Sequence, residues 1–230
     1  MKIRHVLLIL FGIVLLVASG CGSSSTSSGR YIVAGEVPSG GSGTGTGTGG
    51  GGGETNPDSL ILSAWEDFKY GAYSSSISKF NQVLVTAGIS DAQKAEALNG
   101  LGWSQAKSTG MESGFSSFSQ AASTHVESMV GLASALIQRG QKSGFVQAVT
   151  LLEKVGLTST SFRFTSTHSI GISNAEAHAM LAFAYFWRNS GTDQDKARAQ
   201  ITAAHQEDGS ADGTVSQIYN TLKAMGLTSI

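Results

Sequence analysis

The chain has 230 residues, enough for one moderate domain with additional terminal segments. Only 13% of the residues are charged and the formal net charge is −1, so the chain lacks the basic excess of nucleic-acid-binding proteins and has no polybasic or acidic tail. A single cysteine, Cys21, excludes an intramolecular disulfide. The sequence therefore predicts no nucleic-acid partner and a domain that folds without covalent cross-links.

The first residues have the pattern of an export signal. Lys2 and Arg4 precede an apolar run over 6–18, which is too short to span a bilayer comfortably and has the length of the hydrophobic region of a secretory leader. Small residues then lead up to Cys21, in the order VASGC. We expect a cleaved leader that ends before this cysteine. An ordinary leader with an incidental cysteine and an uncleaved anchor helix are the alternatives.

The end of this run resembles a bacterial lipobox. The resemblance implies that cleavage removes residues 1–20 and that Cys21 becomes a mature N-terminus carrying several acyl chains, which anchor far more strongly than one chain. Gly22 follows, and in Gram-negative lipoproteins the absence of Asp at this place favours the outer membrane. The resemblance therefore predicts a lipid-anchored protein of the bacterial cell envelope, on the outer membrane and facing the periplasm.

Residues 21–57 are predicted to form a disordered, flexible linker. The stretch 40–53 contains only Gly, Ser and Thr, a composition that buries too little apolar surface to fold. A coil from 22 to 57 has a reach of about 30–35 Å, which would hold the following domain away from the membrane. The glycines neither follow a strand nor precede a Gly-Lys-Ser/Thr sequence, so they predict no nucleotide or other cofactor.

From residue 58 to 230 most apolar residues recur at helical spacing, and the sequence predicts no convincing sheet. The first two helices lie within 60–84 and are joined by a turn at Gly71, and Ser90 and Gln93 form the capping box of the next helix. In that helix Gly100 and Gly102 are expected to allow close packing. The further helices are predicted at 91–107, 112–122, 126–139, 144–155, 174–189, 194–206 and 214–225. Nine helices make the domain all-α, built of antiparallel helix pairs.

The helix pairs resemble tetratricopeptide repeats, in which a small, a large and another small residue recur along the second helix. The matching triplets are Ser76/Phe80/Val83, Gly114/Phe118/Ala121, Ala148/Leu152/Val155 and Ala197/Ile201/Ala204. Their spacings are 38, 34 and 49 residues, so one equals the family's repeat length of about 34 residues and two exceed it. The resemblance covers about 59–206 and implies a short solenoid with a groove along its concave face, where a protein or peptide would bind.

The longest spacing contains an insertion, 157–173, in which polar residues alternate with Phe162, Phe164 and Ile170. A structureless loop of this length is uncommon in a compact domain. We expect an extended segment lying on the helices, as a packing flap. The alternative is a partner-binding arm, because Phe162, Arg163, Phe164 and His168 belong to residue types that often form binding contacts.

The residues that usually carry chemistry form no recognisable site. The histidines stand at no metal-binding spacing, the serines lack a nucleophile elbow, and the pairs Asp193/Asp195 and Asp208/Asp212 are assigned to helix ends and turns. We therefore predict no enzyme, no metal and no cofactor. Trp65, Trp103 and Trp187 are expected to pack in the core or to line the groove, with Trp65 facing the open end of the array.

The leading functional hypothesis is a non-enzymatic interaction module that binds an envelope protein or peptide. The candidate contacts are Trp65, Trp103, Phe162, Arg163, Phe164 and Trp187. The alternative is a structural or assembly factor of the outer membrane or cell wall. These two hypotheses differ in an observable way, because an assembly factor would self-associate or sediment with peptidoglycan.

Overall fold

The structure is a computed structural model and describes residues 56–230. The predicted leader, Cys21 and the linker up to residue 55 lie outside the described residues. Within the described range the chain forms nine α-helices and no strand, which confirms the all-α prediction. The helices are α1 (Pro57–Lys69), α2 (Tyr73–Val85), α3 (Asp91–Thr109), α4 (Phe115–Ala121), α5 (Val126–Arg139), α6 (Lys142–Leu152), α7 (Asn174–Arg188), α8 (Asp193–Glu207) and α9 (Thr214–Ala224).

Most predicted helix ends lie within two residues of the observed ones, but two predicted helices include turns that are not α-helical. The helix expected at 112–122 begins with a 3₁₀ turn, Met111–Gly114, before α4. The helix expected at 144–155 already starts at Lys142 and ends in a π-helical turn, Glu153–Leu157. Gly156 has φ 112° in that turn, a conformation that residues with a Cβ rarely adopt. This turn redirects the chain into the long insertion.

The helices stack in consecutive pairs. Helix α1 packs against α2, α3 against α4, α5 against α6, and α7 against α8. Each second helix also packs against the first helix of the next pair, and the first helices α1, α3, α5 and α7 contact one another in succession. These four helices therefore form a row. Helix α9 packs against α7 and α8 after the last pair.

Glycines let two phenylalanine rings approach the neighbouring helix closely. A Cβ added to Gly100 would lie 2.0 Å from Cζ of Phe80, and one added to Gly102 would lie 2.6 Å from Cδ1 of Phe118. Both distances are far shorter than any stable contact, so the rings occupy space that only glycine leaves open. This confirms the close packing expected at Gly100 and Gly102.

The residues of the four triplets all lie in the core. The central members Phe80, Phe118, Leu152 and Ile201 are each 0% exposed. The residues at both ends of each triplet are buried as well, including Val155 at 7% exposed. Each second helix thus presents one face to its neighbours, as the periodicity predicts.

Two helices in the row begin with complete capping boxes. Ser90 and Gln93 cap α3, as predicted, and Ser173 and Glu176 cap α7 in the same reciprocal way. In each box the serine hydroxyl accepts a hydrogen bond from the backbone amide of the residue three positions later, Gln93 or Glu176. The side chain of that residue accepts a hydrogen bond from the backbone amide of the serine. The second box marks where the insertion ends and the helical array resumes.

Replacing Ser173 by alanine is expected to lower the free energy of unfolding by about 1 kcal/mol, because the amide of Glu176 loses its acceptor at the start of α7. Chemical denaturation of both proteins measures this difference. Ser119→Ala is the matched control, since Ser119 is exposed on α4 and caps nothing. Equal stability of the Ser173 variant and the wild type would contradict the capping role.

Candidate functional site

The insertion crosses the row of first helices. We call residues 158–173 the strap. Phe164 and Ile170 of the strap are buried, at 5% and 0% exposed. Its ring and backbone contacts reach α1, α5 and α7, and Gly171 lies beside Lys107 of α3. The strap is therefore packed against the helices along its length, as the prediction of a packing flap requires.

A pair of buried polar side chains holds the start of the strap. The amide nitrogen of Gln200 donates to the carbonyls of Leu157 and Thr158, at 2.7 and 3.2 Å. His178, 1% exposed, lies between Gln200 Oε1 and the carbonyl of Phe162, at 2.5 and 3.0 Å. These contacts satisfy backbone carbonyls that have no partner within regular secondary structure.

The three strap residues predicted to contact a partner occupy different environments. Phe162 is half-buried and its ring covers Gly156. Phe164 is buried, and its backbone amide donates to Asn174 Oδ1 at 2.6 Å. Arg163 points outward and forms an ion pair with Glu207 of α8. Of the three, only the Arg163 side chain is largely accessible.

In the middle of the strap, His168 contacts a buried carboxylate. Glu127 of α5 is 3% exposed, and its two oxygens accept three hydrogen bonds. The backbone amide of His168 donates to Oε1 at 2.9 Å, while its ring Nδ1 and the side chain of Asn99 both lie 2.8 Å from Oε2. Ser128 donates to Asn99 Oδ1 at 2.8 Å and fixes its orientation. His168 thus supplies two of the three partners of Glu127.

The other side of the His168 ring faces a second carboxylate. Oε1 of Glu96 on α3 lies 3.1 Å from His168 Nε2 and accepts from Trp65 Nε1 at 2.5 Å. Oε2 of Glu96 lies 2.7 Å from Nε2 of His125. The His168 ring also stacks on Trp65, with centroids 3.8 Å apart and planes 6° from parallel. We call these residues the His168 cluster: Trp65, Glu96, Asn99, His125, Glu127, Ser128 and His168.

This geometry determines the protonation of the cluster. Burial alone would lower the pKa of His168, but its hydrogen bond to Glu127 and the charges of Glu96 and Glu127 outweigh burial and hold the pKa above its ordinary value. Burial would raise the pKa of Glu127, but hydrogen bonds from His168 and Asn99 lower it to about 2. For Glu96, the interactions with His125, His168 and Trp65 likewise outweigh burial, and the pKa is lowered. The two carboxylates therefore favour the protonated form of the His168 ring that lies between them.

The three tryptophans are not brought together. Trp103 is 1% exposed and packs edge to face with Phe118, which favours core packing over partner contact. Trp187 is half-buried and stacks on Phe145. The expectation that Trp65 faces the open end of the array is wrong, because Trp65 is 8% exposed and lies under His168. Only Trp65, among the three, has a ring contact with the strap.

The sequence prediction missed Glu96, Asn99, Glu127 and His168 as a cluster. One signal was present, since Glu127 is the only charged residue between Val126 and Gln138 in α5. Charged residues are almost never fully buried unless they are paired, so its position required a partner. In the described part of the chain, no three His, Cys, Asp or Glu side chains are arranged to hold a metal ion. The cluster joins the strap to α1, α3 and α5 through one titratable ring.

Comparisons of the chain with protein-family models, with curated proteins and with solved structures gave no significant match. In residues 56–230, no helix has both the length and the apolar character needed to cross a bilayer.

Proposed function

We propose that this chain is a lipid-anchored protein of the bacterial cell envelope, whose helical domain binds another envelope protein or peptide without catalysing a reaction. The observation that carries the proposal is the row of α1, α3, α5 and α7, because a row of stacked helices offers an extended surface to a partner. The sequence before the domain supports the location, through the leader pattern, Cys21 and the Gly-rich linker.

We further propose that the pairs form a short tetratricopeptide-like array. The burial of all four triplets supports it, and so do the ring contacts of Phe80 on Gly100 and of Phe118 on Gly102. In such an array the first helices line the concave face. The strap lies on these helices, so a partner that binds there meets strap residues as well as helix residues. Arg163 and Thr165 belong to this shared surface because both are exposed.

Replacing Cys21 by alanine is expected to abolish lipid labelling and to release the protein from the membrane fraction, because the thiol is the proposed attachment point. Metabolic labelling with palmitate in a Gram-negative host, followed by fractionation, measures both effects. Ser23→Ala serves as the control and should leave labelling unchanged. Equal labelling of the Cys21 variant and the wild type would contradict the anchor.

A photo-crosslinking residue placed on the full-length protein in native envelopes tests partner binding. Thr165 on the strap and Thr150 on α6 are both exposed, and α6 is a second helix, outside the row. We expect a specific adduct from position 165 and none from position 150. No adduct at 165, or the same adducts at both positions, would contradict binding along the row. Self-association or sedimentation with peptidoglycan would instead favour a structural or assembly role.

A further inference from the structure

We infer that His168 is a proton-controlled latch: it fastens the strap across α1, α3 and α5 while its ring carries two protons, and it releases the middle of the strap when one proton is lost. The inference concerns the strap and does not require the proposed lipid anchor or partner. It rests on the positions of the His168 ring and backbone, on the burial of Glu127 and on the strained backbone beside the latch.

Both ring nitrogens of His168 face carboxylate oxygens, Nδ1 at 2.8 Å from Glu127 and Nε2 at 3.1 Å from Glu96. A carboxylate only accepts hydrogen bonds, so both nitrogens must donate, and an imidazole with two N–H groups is a cation. A neutral ring keeps one N–H. Its other nitrogen then presents a lone pair to a carboxylate, and an attraction becomes a repulsion. The stacked face of Trp65 also favours the cation over the neutral ring.

Loss of a proton from the His168 ring weakens its hydrogen bond to Glu127, a carboxylate with few other hydrogen-bond donors around it. His168 supplies the backbone amide and the ring nitrogen to Glu127, and Asn99 supplies the third hydrogen bond. With the strap in place Glu127 is shielded from water, so it depends on these three donors. With the middle of the strap released, water can hydrate the carboxylate. The deprotonated state therefore favours release.

The other charged groups around the latch define its environment. Helix α1 contributes only the uncharged Trp65, α3 contributes Glu96, and α5 contributes Glu127. His125, which precedes α5, shares Glu96 with His168, and the two rings lie 6.4 Å apart. Further along the strap, Gly171 lies beside Lys107. Burial lowers the pKa of Lys107, and this effect outweighs the charge of Glu176, which raises it.

The backbone next to the latch is strained. Ser169 has φ 51°, a left-handed conformation that a serine adopts at a cost of about 1 kcal/mol or more. Such a conformation persists only where neighbouring contacts hold it, and the two bonds from His168 to Glu127 are the adjacent ones. The start of the strap is held separately, by Gln200 and Asn174. Release is thus confined to the part around His168, over Trp65 and the two carboxylates.

The test combines two measurements on the full-length protein from about pH 5.5 to about pH 9.5, a range that spans titration of a histidine with a raised pKa. NMR titration gives the pKa of the His168 ring. Hydrogen exchange, corrected for the intrinsic effect of pH, gives the protection of strap amides near His168 relative to amides of α3. We expect strap protection to fall about tenfold or more relative to α3, with its midpoint at the pKa of His168.

His168→Gln should show weak strap protection at every pH, because a glutamine amide that donates its NH₂ to one carboxylate turns its carbonyl oxygen toward the other. His205→Gln is the control: His205 stacks on Tyr219 and touches no strap residue, so this variant should keep the wild-type pH response. Wild-type protection that stays constant through the His168 titration would overturn the inference, and this outcome needs no variant to fold. A His168→Gln protein with the wild-type pH response would overturn it as well.

Discussion

Replacing Phe118 by alanine is expected to lower the free energy of unfolding by about 3–5 kcal/mol. The ring is 0% exposed and lies against three glycines from different elements. A Cβ on Gly102, Gly114 or Gly131 would come within 2.6–2.7 Å of its carbon atoms. Because backbone surrounds the ring on these sides, the cavity left by alanine cannot be filled by small side-chain movements. The cost should therefore lie high in the usual range.

Phe115 provides the matched comparison on the same helix. It is half-buried, and the guanidinium of Arg139 lies 3.4 Å above its ring centroid. Phe115→Ala loses this contact and part of the buried area, which we expect to cost about 1–2 kcal/mol. Urea titration of both variants measures the shift of the midpoint at unchanged slope. If Phe118→Ala lowers the free energy of unfolding no more than Phe115→Ala does, the backbone around Phe118 is not rigid enough to keep the cavity open.

The helical array could be predicted because its signals are local. The capping box at Ser90 and the periodic apolar residues need only a few neighbouring positions to be recognised. Gly100 and Gly102 were also informative, since glycine is unfavourable within a helix unless a close approach requires it. Helix ends were less predictable. At Gly156, a π-helical turn extends the helical segment beyond the expected end.

The position of the strap could not be predicted, because the contacts that fix it join distant parts of the chain. His168 and Glu127 are 41 residues apart. The contact of His168 with Trp65 spans more than twice that separation. Helical periodicity says which face of α1 is apolar but not what covers it. The expectation for Trp65 was wrong for this reason: besides the neighbouring helices, a much later segment of the chain stacks on its ring.

The buried charges limit what the strap can do. A purely apolar flap would bind equally well at all pH values, since burial of Phe164 and Ile170 does not depend on protons. Two carboxylates under one imidazolium make the same contact dependent on a single proton. The strap therefore combines constant apolar anchoring with one titratable fastening. If a partner binds along the row, it can reach Trp65, Glu96 and Glu127 only when His168 no longer covers them.

Replacing Glu127 by glutamine is expected to lower the free energy of unfolding near neutral pH by about 2–3 kcal/mol. An amide cannot satisfy the three donors around this position. In one orientation its NH₂ group faces Asn99 and the His168 ring, and in the other it faces the His168 backbone amide. Either way a buried donor loses its acceptor. Glu66→Gln, on the exposed side of α1, is the control and should change stability by less than about 0.5 kcal/mol.

The same variant should also flatten the dependence of stability on pH. In the wild type, the lowered pKa of Glu127 adds stability above about pH 4.5 that is lost as the pH falls toward its folded value of about 2. The raised pKa of His168 adds stability below pH 6.5 that is lost as the pH rises through its folded pKa. Glu127→Gln removes the first contribution and weakens the second, because one of the two carboxylates that hold the proton is gone. Urea titrations across this range should therefore show a lower and broader maximum, and a profile parallel to the wild type would mean that Glu127 and His168 are not coupled.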